Sequence, residues 1–458
     1  MGSHNKISNY VNIICQQIRW KKAHVRIEEE MTAHITDGRD YYMSQGMDEH
    51  TATEQSIADT GDAALLGANF DRIHRPKPQW GMLGAVAMFV ALGILVSVFM
   101  FDDANIQRRF IFTGMGIAVM FGAYFADFTI LGRYSKGIFF GVIALSLIVI
   151  TSIILGISHI NSGTTHFFRV SFPLVFPLMF AVCIFALKNK GIVGVGVSGL
   201  VYGLLCVITA GWPQSWHSFL SGPFHFGVIG IAILLVAIYK NWFNVNKIVG
   251  ILAALIPFSM VAIIGLYAKG WHRITAIINP HLDPLGFGYQ SVMTRLTLRY
   301  SSLLGHGAIP DQLPYPFSYA PVYMTSLENF LPDVSSNLIL TAIIYRYGWI
   351  PFIAIIVVIL AFAAIGFMRC FKQKSGLGFL VSFAIMTSFA FQVVTYVLLN
   401  LGIALAPISL PFVSPGNVAI VINMGLIGFM LSVFRTGDVV VDKRLPQDIK
   451  QITFPPTI

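Results

Sequence analysis

The chain has 458 residues, of which 55% are hydrophobic and only 11% charged, with 30 Lys and Arg against 21 Asp and Glu. Soluble domains carry roughly a quarter charged residues, so a mean hydropathy of +0.72 excludes an ordinary soluble globular protein. The net charge of +9 reads as membrane topology and attraction to anionic lipid, not as nucleic-acid binding.

Residues 1–79 differ in composition from the rest. They hold about half of the acidic residues, among them Glu28, Glu29, Glu30, Asp37, Asp48, Glu54 and Asp62. The apolar pattern Ile18, Val25, Ile27, Met31, Ile35 suits amphipathic helices. Gly46-Met47-Asp48 reads as a helix stop followed by a new N-cap, with further breaks at Gly61-Asp62 and Gly67. A small helical cytoplasmic bundle is expected here. The strings IRWKKAHVRIEEEMTAHITD and GMDEHTATEQSIADTGDAALLGANFDRIHRPKPQW resemble the short prefix domain found ahead of permease-type and cell-wall membrane proteins of Gram-positive bacteria. The residues themselves read first as a folding or assembly module with no ligand.

Apolar runs long enough to span a bilayer, about 20 residues each, recur after residue 80. They lie near 80–101, 107–126, 135–158, 170–187, 191–211, 223–240, 246–268, 338–368, 376–399 and 416–434. The chain therefore reads as an all-α polytopic membrane protein with about ten transmembrane helices. The run at 338–368 is long enough to hold a broken or tilted helix. The first apolar run is a full span, so no cleavable signal is expected. Gly191, Gly194, Gly196 and Gly199 suit close helix contacts in the fifth span.

Basic residues near span ends set orientation. Arg72, Arg75, Lys77, Arg133, Lys136, Lys188, Lys190, Lys240, Lys247, Arg369, Lys372, Lys374, Arg435, Lys443 and Arg444 all fall on one side. The opposite loops at 212–222 and 400–415 carry no Lys or Arg. Both termini, including a tail at 436–458, are thus expected in the cytoplasm of a plasma-membrane protein, and a large loop at 269–337 faces outward. Arg108 and Arg109 are exceptions, expected to pair locally with Asp102 and Asp103. Asp127, near the cytoplasmic end of the second span, reads as a structural cap. Cys15, Cys183, Cys206 and Cys370 show neither a disulfide framework nor metal-ligand spacing, and no cofactor is evident.

The outward loop carries the chemistry-bearing residues. A mostly lipid-soluble chain has little reason to keep a long polar loop unless the loop does the work. It holds Arg273, Pro280, Asp283, Pro284, Gly286, Gly288, Tyr289, Gln290, Arg295, Arg299 and then Gly305-His306-Gly307. Leu331-Pro332 is expected to open a helical run reaching Gly348. Asn400-Leu401-Gly402, Pro407, Leu410-Pro411-Phe412-Val413-Ser414 and Gly416 follow near the C-terminus. Together these resemble the SEDS family (shape, elongation, division and sporulation), the group of FtsW, RodA and SpoVE, over about residues 80–435.

The resemblance implies work on lipid II, the undecaprenyl-linked peptidoglycan precursor, outside the membrane. A sugar 4-hydroxyl attacks an anomeric carbon and expels undecaprenyl diphosphate. Such chemistry wants a carboxylate as general base and cations or donors for the departing diphosphate. It also implies a class B penicillin-binding protein as partner. The expected substrate contacts are Arg273, Asp283, Tyr289, Gln290, Arg295 and His306. Asp283, in Asp-Pro-Leu-Gly, reads equally as a turn former. Arg273, Arg295 and Arg299 read equally as residues snorkelling to headgroups. His306, between glycines, reads first as a loop residue.

Here the chain departs from the family. Where the family closes its loop on a motif like L-P-E-x-H-T-D-F with an essential Asp, this chain has Leu331-Pro332-Asp333-Val334-Ser335-Ser336-Asn337-Leu338. The essential position falls on Asn337, and an amide is no base at neutral pH. The family's Glu-Glu pair falls on Tyr345 and Arg346, and the tract at Gly163–Arg169 and Phe176-Pro177 lacks the family's Ser-Glu. If Pro332 begins a helix, Asp333 and Asn337 share one face, and Asp333 becomes a candidate relocated base. Arg346, expected inside a membrane run, would face a cavity or partner. Tyr315, Phe317, Tyr319 and Tyr323 read as an interfacial aromatic surface, and Asp311 and Glu328 as solvated. Three readings stand: a SEDS glycosyltransferase serving division, elongation or sporulation, a catalytically silent SEDS scaffold or regulator, and a flippase for the lipid-linked precursor. Few ionisable groups in the spans disfavour the last.

Overall fold

The computed structural model describes residues 3–437 except 77, 101–102, 155–170, 211–220, 266–274, 276, 287, 309–326, 328–330, 332–333, 335, 404–408 and 414–416. Arg273, Asp311, Tyr315, Phe317, Tyr319, Tyr323, Glu328, Asp333 and the Gly163–Arg169 tract lie outside the described residues. All regular structure among the described residues is helical.

Residues Met1–Pro78 belong to one compact unit. It contains α1 (Ser3–Gln16), α2 (Lys21–Ser44), α3 (Glu49–Thr60) and α4 (Ala63–His74). Ile7, Val11, Ile14 and Ile18 recur at helical spacing and meet Ile27, Met31 and Ile35 of α2 in one buried cluster. Val25 does not join them: it is 65% exposed, because it sits half a turn from the 27-31-35 stripe. Gly46 takes φ +93 just after α2, and Asp48 accepts the Thr51 amide at 3.1 Å to start α3. Gly61 at φ +98 and Asp62, which accepts the Leu65 amide at 2.8 Å, repeat the device before α4. Gly67 is no break. It lies inside α4, where a Cβ would press within 2.7 Å of the Ile14 carbonyl, so close packing on α1 explains it.

Two carboxylates of this unit titrate low. The Thr51 hydroxyl and amide hold Asp48 below the usual range, and Lys6, 2.5 Å away, holds Glu54 below it. A depressed folded pKa contributes stability above the unfolded value near 4, and that contribution vanishes as pH falls through the folded pKa. Hydrogen exchange across α3 in the full chain should therefore stay flat from pH 7 to 5 after correction for intrinsic rates, and accelerate below about pH 4. Asp62→Ala should speed exchange in α4 by several-fold, the effect of losing a cap worth about 1 kcal/mol.

The second unit is a multi-pass membrane body. It comprises α5 (Trp80–Met100), α6 (Asp103–Phe125), α7 (Thr129–Arg133), α8 (Ser135–Ile154), α9 (Phe176–Ala186), α10 (Gly191–Ala210), α11 (Ser221–Tyr239) and α12 (Lys247–Gly265). Then follow α13 (Tyr289–Arg299), α14 (Ile339–Tyr347), α15 (Trp349–Phe371), α16 (Gly376–Asn400) and α17 (Asn417–Thr436). Among the described residues, five helices (α5, α10, α15, α16 and α17) are long and apolar enough to cross a membrane, with shorter apolar helices at Ser135–Leu145, Phe172–Ala186, His225–Tyr239 and Lys247–Ile263. The 23-residue helix α6 carries Asp103, Arg108 and Arg109 in its first turns.

Helix α16 is the hub, with 78% of its span buried against 28% for α15. Its neighbours include α9, α11 and α15. Along α15, Ile350, Ile353, Val357 and Leu360 stand exposed at helical spacing, an apolar stripe suited to lipid tails. Phe89 of α5 sits at the aromatic centre, 5.6 Å from Phe362, 5.6 Å from Phe389 and 5.0 Å from Phe412. Gln392 and Asn423 exchange reciprocal amide bonds of 3.3 Å between α16 and α17, the kind of polar tie that joins helices in lipid. On α10, Gly194 and Gly199 receive Phe243 and Pro257 closely, whereas Gly196 faces open space.

The 338–368 run is broken. Gly348 takes φ +101 between α14 and α15, and a Cβ there would meet the Leu303 carbonyl at 2.5 Å. Arg346 thus lies in the last turn of α14, ahead of the span, where a cation suits the helix dipole.

Candidate functional site

Leu331-Pro332 does not open the helix: the described residues Leu331, Val334, Ser336, Asn337 and Leu338 all lie outside helical structure. Helix α14 begins at Ile339, and Ser336 and Asn337 form a half-buried turn before it. Asn337 therefore precedes α14 and sits on no face of it. The reason is tertiary. The Tyr396 hydroxyl donates to the Ser336 carbonyl at 2.9 Å, and Asn400 Nδ2 donates to the Asn337 carbonyl at 3.0 Å. The Asn400 Oδ1 accepts the Thr341 amide at 2.9 Å.

Two residues beyond Asn400, helix α16 ends in a Schellman turn. Ile403 N–H reaches the Leu398 carbonyl at 2.9 Å and Gly402 N–H the Leu399 carbonyl at 3.0 Å, with Gly402 at φ +80. This turn receives α13. Arg295 Nε donates to the Gly402 carbonyl at 3.0 Å, and a Cβ on Gly402 would press into the Arg295 side chain. Tyr289 and Gln290, both half-buried, open α13, and burial pushes the Tyr289 phenol up. The structure thus gathers Asn337 and the Arg295 end of α13 around one end of α16.

His306 and Asp283 stand apart from that hub. The His306 ring meets Tyr345 edge-on at 4.7 Å, toward the far end of α14, and its Nδ1 lies 2.5 Å from the Gly307 carbonyl. Gly305 and Gly307 amides donate to Tyr347 and Tyr345 carbonyls, so this loop laces onto α14. Asp283 is exposed, and its carbonyl accepts the Gly286 and Gly288 amides. A Cβ on Gly286 would collide with the Asp283 carboxylate, so the turn-forming role has direct geometric support. Asp127 accepts the Thr129 amide at 3.1 Å as α7 begins.

Arg109 was expected to pair locally. The residue is instead only 3% exposed, and its Nη2 donates to the Phe412 carbonyl. Phe412 has a positive φ of +65, and its carbonyl also abuts Gly93, where a Cβ would collide with it. Arg109 lies within electrostatic reach of Tyr396, linking the 410–413 turn to the hub. The legible signal was helical phase: Arg109, Thr113, Gly116 and Met120 follow the buried stripe of α6. Among the described residues, no three His, Cys, Asp or Glu gather to hold a metal ion.

No family model matches the chain. It is 21% identical over 424 residues to a Xanthomonas oryzae protein named "probable peptidoglycan glycosyltransferase FtsW", covering 87% of this chain and 81% of that one. A Borreliella burgdorferi protein of the same name is 24% identical over 189 residues, 40% of this chain, and the match spans about half (48%) of that protein. A chain from a solved peptidoglycan synthase complex, described as coordinating polymerization and crosslinking, shares the fold with TM-score 0.57 at 16% identity, covering 78% of this chain and 98% of that one.

Removing Arg109 should leave the Phe412 carbonyl without this donor in an apolar setting. Arg109→Met should destabilise the membrane body by about 1–3 kcal/mol, read as earlier thermal inactivation in detergent, whereas the exposed Arg299→Met should cost within about 0.5 kcal/mol.

Proposed function

We propose that this chain, which belongs to the SEDS family, binds the undecaprenyl-linked precursor lipid II at the plasma membrane and serves bacterial peptidoglycan synthesis beside a class B penicillin-binding protein. The glycosyltransferase name of its relatives supports lipid II as substrate, and the fold shared with a synthase complex is consistent with such a partner. The basic residues at span ends support a reading with cytoplasmic termini, in which Asn337, the 399–403 turn and α13 lie at the outward face. The observation that carries the reading is the gathering of the family's reactive position, Asn337, and Arg295 of α13 around the end of α16.

Glycan polymerisation at this site needs a base for the acceptor hydroxyl. Asn337 accepts and donates hydrogen bonds but takes no proton near neutral pH. That side chain favours a second reading within the same family: a lipid II-binding scaffold or regulator whose polymerase chemistry is silent. Tyr289 and Arg295 remain as groups able to donate to a diphosphate.

The deciding assay is lipid II polymerisation by the purified chain in liposomes, with a cognate transpeptidase, beside Asn337→Asp. The expected result is few strands from the natural chain and a rise of roughly 10²-fold in the variant, the usual contribution of a positioned base. Long strands from the natural chain would refute silence, and their loss in Asp333→Ala would place the base at Asp333.

A further inference from the structure

We infer that Asn400 is a positioning residue: its carboxamide is inserted into the first turn of α14 and, with Tyr396, fixes the direction in which the Asn337 side chain leaves the backbone. The bonds themselves are independent of any activity; only their consequence for chemistry rests on the reading of Asn337 as the reactive position.

A helix continued backward through Asn337 would join the Asn337 carbonyl directly to the Thr341 amide, four residues on. The Asn400 carboxamide stands between those two groups. Its Nδ2 donates to the Asn337 carbonyl at 3.0 Å, and its Oδ1 accepts the Thr341 amide at 2.9 Å. The remaining capacity of the amide is also used. Nδ2 donates to the Tyr396 carbonyl at 2.9 Å, and Oδ1 accepts from Thr341 Oγ1 at 3.1 Å. The same hydroxyl lies 2.9 Å from the Asn400 carbonyl. Asn400 is 0% exposed, so these bonds replace water entirely. Oxygen and nitrogen cannot be exchanged, because Thr341 N–H needs an acceptor and the Asn337 carbonyl a donor.

Helix α14 has no cap of its own, since its N-cap residue is Leu338 with no side-chain bond. Asn400 supplies the cap from 59 residues away in sequence. The carbonyls of Ser336 and Asn337 belong to the two peptide planes that flank the Asn337 Cα. Tyr396 holds the first and Asn400 the second, and the two side chains sit one turn apart on α16. With both planes held, φ and ψ of Asn337 are set, and so is its Cα–Cβ bond. No other side chain of similar size does this. Asp accepts from Thr341 but presents a carboxylate to two carbonyls, and Leu makes none of the bonds.

The test uses the full chain in lipid nanodiscs. The four cysteines are buried, so a nitroxide introduced through Asn337→Cys reports on the turn selectively. Relative to the parent, Asn400→Ala should mobilise the nitroxide and speed exchange of the Thr341 amide at least tenfold, leaving α5 and α15 amides unchanged. Tyr396→Phe, which removes only the hydroxyl, should mobilise the nitroxide but leave Thr341 exchange within about twofold. An unchanged nitroxide spectrum in both variants would overturn the inference, as would a nitroxide mobilised only together with α5 and α15. In the Asn337→Asp background, Asn400→Ala should lower kcat for strand formation with KM for lipid II nearly unchanged. If Asn337→Asp makes no strands at all, the polymerase reading fails while the nitroxide and exchange results still decide the role of Asn400.

Discussion

Backbone carbonyls that leave a helix inside a membrane body must find donors, because lipid supplies none. Four such carbonyls shape this molecule: Ser336, Asn337, Gly402 and Phe412. Each receives a side chain from a helix remote in sequence, respectively Tyr396, Asn400, Arg295 and Arg109. Three irregular segments, around 336, 402 and 412, are thereby tied to α16, α13 and α6. An unsatisfied buried carbonyl costs about 1–3 kcal/mol, so these ties account for the persistence of loops among long apolar helices.

The same ties separate scaffold from chemistry. Positions that hold backbone, such as Asn400, Gly402, Gly348 and Gly286, keep side chains or glycines that the local geometry requires. At Asn337 the backbone is held by Tyr396 and Asn400, while the side chain is an amide and no base. The Phe89, Phe362, Phe389 and Phe412 cluster adds a rigid apolar floor beneath the 410–413 turn.

Residues 1–78 form a separate unit with its own apolar centre. The breaks before α3 and α4 were legible because each is written in local chemistry. Gly46 and Gly61 adopt positive φ, and Asp48 and Asp62 cap the helices that follow. Gly67 misled because a glycine chosen for contact with Ile14 looks, in sequence, like a glycine chosen for a turn.

Sequence alone determined the membrane class and most helix positions, since a run of apolar residues must span or be buried whatever surrounds it. It also determined that position 337 carries an amide, whatever the fold. The break at Gly348 was foreshadowed by the length of its run. Tertiary structure decided the rest. Where α14 begins depends on a carboxamide 63 residues from Asn337, which no local pattern encodes. Arg109 turns inward because Phe412 offers a carbonyl there, although its charge alone reads as a surface residue. Long-range hydrogen bonds outweigh local propensity at these points because, in a low-dielectric interior, an unmet polar group costs more than a shortened helix.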